Sequence, residues 1–280
     1  MSAADFAFLA DLLKRRSGLT LPAGKSHLIE TRLAPVARRF GFKTVAALLH
    51  QLPHGPESMA RSVTEAMTIN DTWFFRDRAP FESFKDIILP AMLARRMTHG
   101  RVRIWCAAAS TGQEAYSLAM LLHEAELVAN DWEIELIATD LNTDSIARAR
   151  EGLYTNFEVQ RGLGIRRLVA HFTQVGEDQW RISDPLRRMV NFRSFNLLDS
   201  FDWIGEVDVV FCRNVLLYFD ETTKRRVLKK LVAATARDGF LVTGTAETPH
   251  ELMPELEPVA DARGLYTRAH PEQKTKARRA

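Results

Sequence analysis

One stretch constrains the rest of the chain: Val102 to Met120, reading VRIWCAAASTGQEAYSLAM. Val102, Ile104 and Cys106 with Trp105 between them have the β-branched and aromatic character of a short buried strand. Ala107, Ala108, Ala109, Ser110, Thr111 and Gly112 follow with almost no side-chain bulk, and helical spacing resumes from Gln113. Strand, small-residue turn and helix in that order form the first half of a nucleotide-binding βα unit, where backbone amides approach a ligand closely. The same pattern also serves as an ordinary packing turn, and this stretch alone does not separate the two.

The turn bears on which ligand is excluded. A dinucleotide site needs G-x-G-x-x-G, because the pyrophosphate lies against bare backbone, and here only Gly112 is present. Alanine at the other positions still admits something without phosphate, such as the ribose and methionine parts of S-adenosylmethionine. A second strand, Glu133 to Thr139, ends on Asp140, placed to accept hydrogen bonds from both ribose hydroxyls of such a cofactor. Turn and acid together favour a nucleoside site over a packing turn.

The remaining pattern continues the α/β alternation. Asn142 to Gly152 reads as a helix, and Val190 to Phe195 as a strand followed by Asn196, Leu197, Leu198 and Asp199. A strongly apolar strand at 207–212 stops at Arg213 and Asn214, where open α/β sheets bind ligands. Helix 221–236, strand 239–243 and a final strand near 263–268 complete the domain. Between them HFTQVGEDQWRIS reads as a β-hairpin inserted near 160–190, either a partner-recognition element or a cover for a sheet edge.

Before this domain, residues 3–16 set Phe6, Leu9 and Leu13 on one helical face with Gly18 ending the helix. A second helix from about Gly24 to Phe40 carries Leu28, Leu33 and Val36 inward, with a kink expected at Pro35. Its surroundings are basic: Lys14, Arg15, Arg16, Lys25, Arg32, Arg38, Arg39 and Lys43 stand against the single acid Glu30. That biases the face toward an acidic partner, although a solvated helix face reads the same way. Short helices near 44–51 and 57–69 complete a small all-helical unit. The segment TINDTWFFRDRAPF, 68–81, is too aromatic for a plain linker. It is expected to pack against another domain and carry its polar groups, Asn70, Thr72, Arg76 and Asp77, into a shared cleft, although an aromatic staple between two domains with its charges in water reads the same way.

At 280 residues, 46% hydrophobic and 26% charged, the chain has the composition of a globular protein with a sizeable core. No uncharged apolar run reaches the roughly 18 residues of a membrane span. Acids lie within the N-terminal apolar stretch, so it reads as an amphipathic helix, not a signal peptide, and a cytoplasmic location is expected. Cys106 and Cys212 fall in buried strands and are expected to be reduced thiols. The histidines show neither HExxH nor a Cys/His cluster, so no metal site is expected. The net charge of +3 decides no partner by itself.

Taken together, NDTWFFRD, WCAAASTGQEAYSLAM, ATDLNTDSIARAREGLY, FNLL, FCRNVLLYF and GTAET resemble the CheR-type chemotaxis receptor methyltransferases, in the same order from about residue 5 to 268. The resemblance implies a doubly wound S-adenosylmethionine domain with a small antiparallel β insertion, preceded by a small all-α domain. The expected divisions are 1–69 helical domain, 70–90 linker contributing to the cofactor cleft, 91–270 cofactor domain with its β subdomain near 160–190, and 271–280 a basic disordered tail.

The activity implied is methyl transfer from S-adenosylmethionine to glutamates on the cytoplasmic helices of chemoreceptors. Asn70, Thr72 and Arg76 would then reach the cofactor from the linker, and Ala108 from the turn. Glu114 would meet its methionine end, Asp140 its ribose, and Asn196, Leu197, Arg213 and Asn214 the rest of the pocket. Arg76 would hold a carboxylate by two hydrogen bonds, Tyr218 would face the methyl path, and Arg32 and Arg38 would face the receptor's acidic region.

Members that tether to a receptor's C-terminal peptide carry a loop of several glycines in the β subdomain. The hairpin here has only Gly176, so direct recognition of the receptor helices by a monomer is expected. Ala115 replaces a proline common after the glutamate, and Trp73 stands beside the linker threonine. A nucleic-acid or small-molecule methyltransferase is the rival enzyme reading, but amino-methylating nucleic-acid enzymes need an Asn/Asp-Pro-Pro-aromatic loop where this chain has Arg213 to Leu216. A receptor-binding adaptor that keeps the fold without catalysis is the rival outside enzymes.

Overall fold

The computed structural model describes residues 2–269 except 23, 25, 98–99 and 128–131. Lys25 and the tail expected to be disordered lie outside the described residues. Four helices open the chain: α1 (Ala3–Ser17), α2 (Ser26–Arg39), α3 (Val45–Gln51) and α4 (Glu57–Ala66). Ser2 and Asp5 form a capping box at the start of α1, and Gly18 in the left-handed region closes it. α2 runs on through Pro35. The helices share an apolar core that includes Leu9, Leu13, Ile29, Leu33, Leu48 and Val63.

The aromatic segment leads into α5 (Ala79–Ser83), a single π turn (Phe84–Ile88) and α6 (Leu89–Arg96). The α/β unit follows with β1 (Arg101–Ala107), α7 (Gln113–Glu124), β2 (Glu133–Asp140), α8 (Thr143–Glu151), β3 (Leu153–Thr155), α9 (Asn156–Gln160), α10 (Ile165–His171), β4 (Phe172–Gln174), β5 (Gln179–Ile182), α11 (Asp184–Met189) and β6 (Val190–Ser194). It ends with β7 (Val207–Cys212), α12 (Glu221–Ala234), β8 (Thr235–Thr243), α13 (Pro249–Leu252), β9 (Leu256–Pro258) and β10 (Leu265–Arg268).

The main sheet has the order β6-β2-β1-β7-β8-β10-β9. Its first five strands are parallel, while β10 is antiparallel to both β8 and β9. β1 explains why its sequence lacks a polar face: Val102, Ile104 and Cys106 join one core, and Trp105 and Ala107 join the core on the opposite side. Strand order reverses between β1 and β7, so their C-terminal ends splay apart and leave a crevice.

The insertion is larger than its hairpin. β4 and β5 pair antiparallel as the sequence indicates, but β3 adds a third strand on the other side of β5, so the small sheet begins before 160. Three-residue strands such as β3 and β9 carry too little alternation to be seen in sequence. Phe74 of the aromatic segment packs edge-on against Tyr154 and Phe172, joining the segment to this insertion.

Candidate functional site

The turn after β1 carries the tightest backbone. Ala108 (φ 69°) and Ser110 (φ 51°) both sit in the left-handed region, which costs a side chain about 1–3 kcal/mol and is kept where surrounding structure enforces it. The enforcement is visible: Ala109 N–H donates to Thr139 O at 2.8 Å, Ser110 N–H to Asp140 Oδ2 at 2.7 Å, and Ser110 Oγ to Asn70 O at 3.0 Å. Gly112 starts α7 at φ 95°, and a Cβ there would lie 2.9 Å from the Ala149 methyl. Small residues are therefore required twice, by conformation and by space.

Asp140 ends β2 almost fully buried and also accepts from Asn142 N–H at 2.9 Å. Burial pushes its carboxyl above the usual carboxylate range, against the backbone donors that hold it down. Ser110 N–H and Asn142 N–H take different oxygens, and the carboxylate keeps acceptor capacity for a ligand hydroxyl.

Across the crevice, Arg213 follows β7 with its side chain 1% exposed. Nη1 donates to Glu114 Oε2 at 2.7 Å, and Nη2 donates to Asp77 Oδ2 at 2.8 Å and to Arg76 O at 2.9 Å. Burial raises the Glu114 carboxyl, with the Arg213 charge opposing. Asn214 is another left-handed residue (φ 58°), held by Glu247. The Glu247 carboxylate collects N–H groups from Asn214 (3.0 Å), Leu216 (2.8 Å), Leu217 (3.3 Å) and Gly244 (2.6 Å). It thereby ties the ends of β7 and β8 together and fixes the short 3₁₀ turn that presents Tyr218.

These elements enclose an open, concave cleft lined by both apolar and polar side chains, as small-molecule sites are. Every residue expected to meet the cofactor or the methyl path lines it: Asn70, Thr72, Arg76, Ala108, Glu114, Asp140, Asn196, Leu197, Arg213, Asn214 and Tyr218. The helical unit completes the wall with Ser17, Leu19, Thr68 and Ile69, which the sequence reading did not single out. It is attached on both sides of the cleft: Leu19 pairs with Phe219, Thr20 N–H donates to Tyr218 O at 2.8 Å and Lys14 Nζ lies 2.8 Å from Asp220, while Thr143 Oγ1 donates to Glu65 Oε1 at 2.9 Å and Asn142 Nδ2 to Glu65 O at 3.1 Å. Asn196 Nδ2 donates to Arg16 O at 2.6 Å, so that side chain also joins the two units. Asp77, expected among the linker's polar groups in the cleft, is held by Arg213 and does not line it. The role of Glu247 was missed although it lies inside the GTAET block, because Asn214, Leu216 and Leu217 are distant from it in sequence.

The two basic-face residues part company. Arg38 is exposed, whereas Arg32 is half-buried and donates Nη1 to Met67 O and Thr68 O, each at 3.0 Å. Arg32 thus caps the C-terminal end of α4, a use the basic run did not reveal.

The groups left unsatisfied suit an S-adenosyl ligand. Asp140 retains acceptor capacity, and the β1 turn leaves close backbone approach. A switch-point crevice with an acid ending the second strand and a helical unit over its mouth defines a nucleoside-binding protein of the doubly wound class. Residues 4–68 match the all-alpha domain of CheR methyltransferases, and residues 70–262 match their SAM binding domain. The chain belongs to the CheR methyltransferase family and is an S-adenosylmethionine-dependent methyltransferase.

Curated relatives align along nearly their whole length. The chain is 35% identical over 269 residues to chemotaxis protein methyltransferase 1 of Pseudomonas aeruginosa, covering 95% of this chain and 98% of that one. It is 34% identical over 269 residues to chemotaxis protein methyltransferase Cher2 of Pseudomonas putida, with the same 95% and 98% coverage. It is 29% identical over 249 residues to the chemotaxis protein methyltransferase of Borreliella burgdorferi, covering 87% and 88%. Among the described residues no helix is long and apolar enough to cross a membrane.

Proposed function

We propose that this chain transfers a methyl group from S-adenosylmethionine to glutamate side chains of chemoreceptors, forming glutamate methyl esters. The observation that carries this reading is the convergence of the linker, the β1 turn and the β7 loop on one cleft in a chain that matches both family domains. When bound, S-adenosylmethionine supplies a methyl group activated by its sulfonium.

The acceptor needs little from the protein beyond placement. A glutamate carboxylate has a pKa near 4.3 and is already anionic at neutral pH, so no strong base is required. What the chain must do is align that carboxylate and strip its water. Arg76 is assigned to hold it, and its place in the cleft wall supports the assignment. Tyr218 is assigned to the methyl path, since it lies in the cleft wall where the helical unit meets the β7 loop. Asp140 and Glu114 are read as binding the ribose and methionine ends, with Asn70, Thr72, Ala108, Asn196, Leu197, Arg213 and Asn214 around them.

The receptor helices are read as meeting α2 through exposed Arg38, with Arg32 behind it, in the cytoplasm and without peptide tethering. A monomer suffices for this. The test is transfer of labelled methyl from S-adenosylmethionine to a receptor cytoplasmic fragment, read as base-labile methanol. Transfer lost on replacing the receptor's glutamates by alanine is the expected result. Calorimetric binding of S-adenosylmethionine with no transfer would leave a receptor-binding adaptor instead.

A further inference from the structure

Arg161, in the β insertion after α9, and Arg76, in the cofactor cleft, are held by the same two linker residues. The Arg76 guanidinium carbon lies 4.4 Å from the Trp73 ring centroid, and that of Arg161 lies 3.9 Å from it. Arg76 Nη1 donates to the backbone oxygen of Asp71 at 2.5 Å, and Arg161 Nη1 donates to the Asp71 carboxylate at 3.1 Å. Gly162 allows the insertion to approach so closely: at φ 86°, a Cβ there would lie 2.0 Å from Phe74 O.

This arrangement answers a need of Arg76. An arginine side chain has roughly 2 kcal/mol of rotamer entropy, and a guanidinium that must grip a carboxylate gains by having that freedom removed beforehand. No carboxylate pairs with Arg76 among the described residues, and Nε has no partner. Its position therefore rests on one backbone acceptor and the face of Trp73. Arg161 does not line the cofactor cleft and is 41% exposed, so its ordered contact with Trp73 and Asp71 has no catalytic or core-packing use of its own.

We propose that Trp73 and Arg161 are positioning residues for Arg76, a clamp through which the β insertion sets the guanidinium that holds the substrate carboxylate. The proposal rests on the reading of Arg76 given above. Stacking limits the rotamers open to Arg76, and Arg161, anchored by Asp71, holds the indole against rotation.

The test measures kcat for methyl transfer and calorimetric affinity for S-adenosylmethionine in Trp73→Ala, Trp73→Phe, Arg161→Gln and Arg161→Lys, each also combined with Arg76→Ala. Trp73→Ala and Arg161→Gln are expected to lower kcat by about tenfold, since small misplacements of a positioning group cost that much or more. Cofactor affinity stays within about twofold, Trp73→Phe and Arg161→Lys recover most of kcat, and in the Arg76→Ala background the same substitutions cost nothing further. Equal losses in both backgrounds, or full kcat in Arg161→Gln and Trp73→Ala while Arg76→Ala is impaired, would overturn the clamp alone. Full kcat in Arg76→Ala would remove the reading of Arg76 and the clamp with it.

Discussion

Arg213 and Glu114 form an ion pair at 2.7 Å across the crevice, one from the end of the fourth parallel strand and the other from the first turn of α7. Asp77 takes a second arm of the same guanidinium at 2.8 Å, so a single cation holds two acids. Removing one member of a buried ionic group leaves the others without compensation and costs about 3–5 kcal/mol. Arg213→Met is expected to lower the unfolding free energy by that amount in urea titrations. Glu114→Gln costs less, because Arg213 keeps Asp77. The double variant falls short of the sum, since removing Glu114's charge first removes much of the penalty.

Asp140 is the next lever. Asp140→Asn must turn an NH₂ group toward either Ser110 N–H or Asn142 N–H, because both carboxylate oxygens accept from backbone. A lost charged acceptor for a ligand hydroxyl is worth about 1.5–3 kcal/mol, so S-adenosylmethionine affinity is expected to fall about tenfold or more. The apposed donors also destabilise the free protein, and a melting temperature below wild type without ligand separates the two effects.

The same two residues mark how far sequence reaches. Asp140 and Arg213 were legible because a polar residue ending an apolar parallel strand has one evident place, the C-terminal edge of the sheet. The pairing of Arg213 with Glu114 and Asp77 was not, since the three are distant in sequence and meet only when the sheet is assembled, and Glu247, which holds the loop after Arg213, gave no sign of that role. The hairpin was visible from its turn, whereas β3 was hidden by its length. Arg32 was read as surface because a basic run says nothing about which arginine finds a helix end. Ser17 and Leu19 reach the cleft only through the docking of the helical unit, which leaves no local pattern.

Gly162 tests how closely the insertion is bound to the linker. Alanine there would need both a left-handed backbone and a Cβ 2.0 Å from Phe74 O, which cannot coexist with the native contact. Gly162→Ala is expected to destabilise by more than about 1 kcal/mol. Gly176→Ala, also left-handed but with nothing within 4 Å of its Cβ, is the control that carries backbone strain alone. Thermal melts of the two separate contact from conformation.

His171 supplies a pH dependence whose sign follows from burial. The ring is packed against His123 at 5.6 Å between centroids, and Nε2 lies 3.5 Å from Glu124 Oε1. Burial lowers its pKa, outweighing the pull of the Glu124 charge. The unfolded chain, with a histidine pKa near 6.5, therefore binds a proton at pH values where the folded protein does not. Stability from this group is complete above about pH 6.5 and is lost as pH falls toward the lowered folded value. Glu124, held below the usual carboxylate range chiefly by its hydrogen bond with Arg167, keeps its contribution until pH falls into the ordinary carboxylate range. Urea midpoints measured between pH 7 and pH 5 are expected to decline in the wild type and to flatten in His171→Gln; an equal decline in both would assign the dependence to other groups.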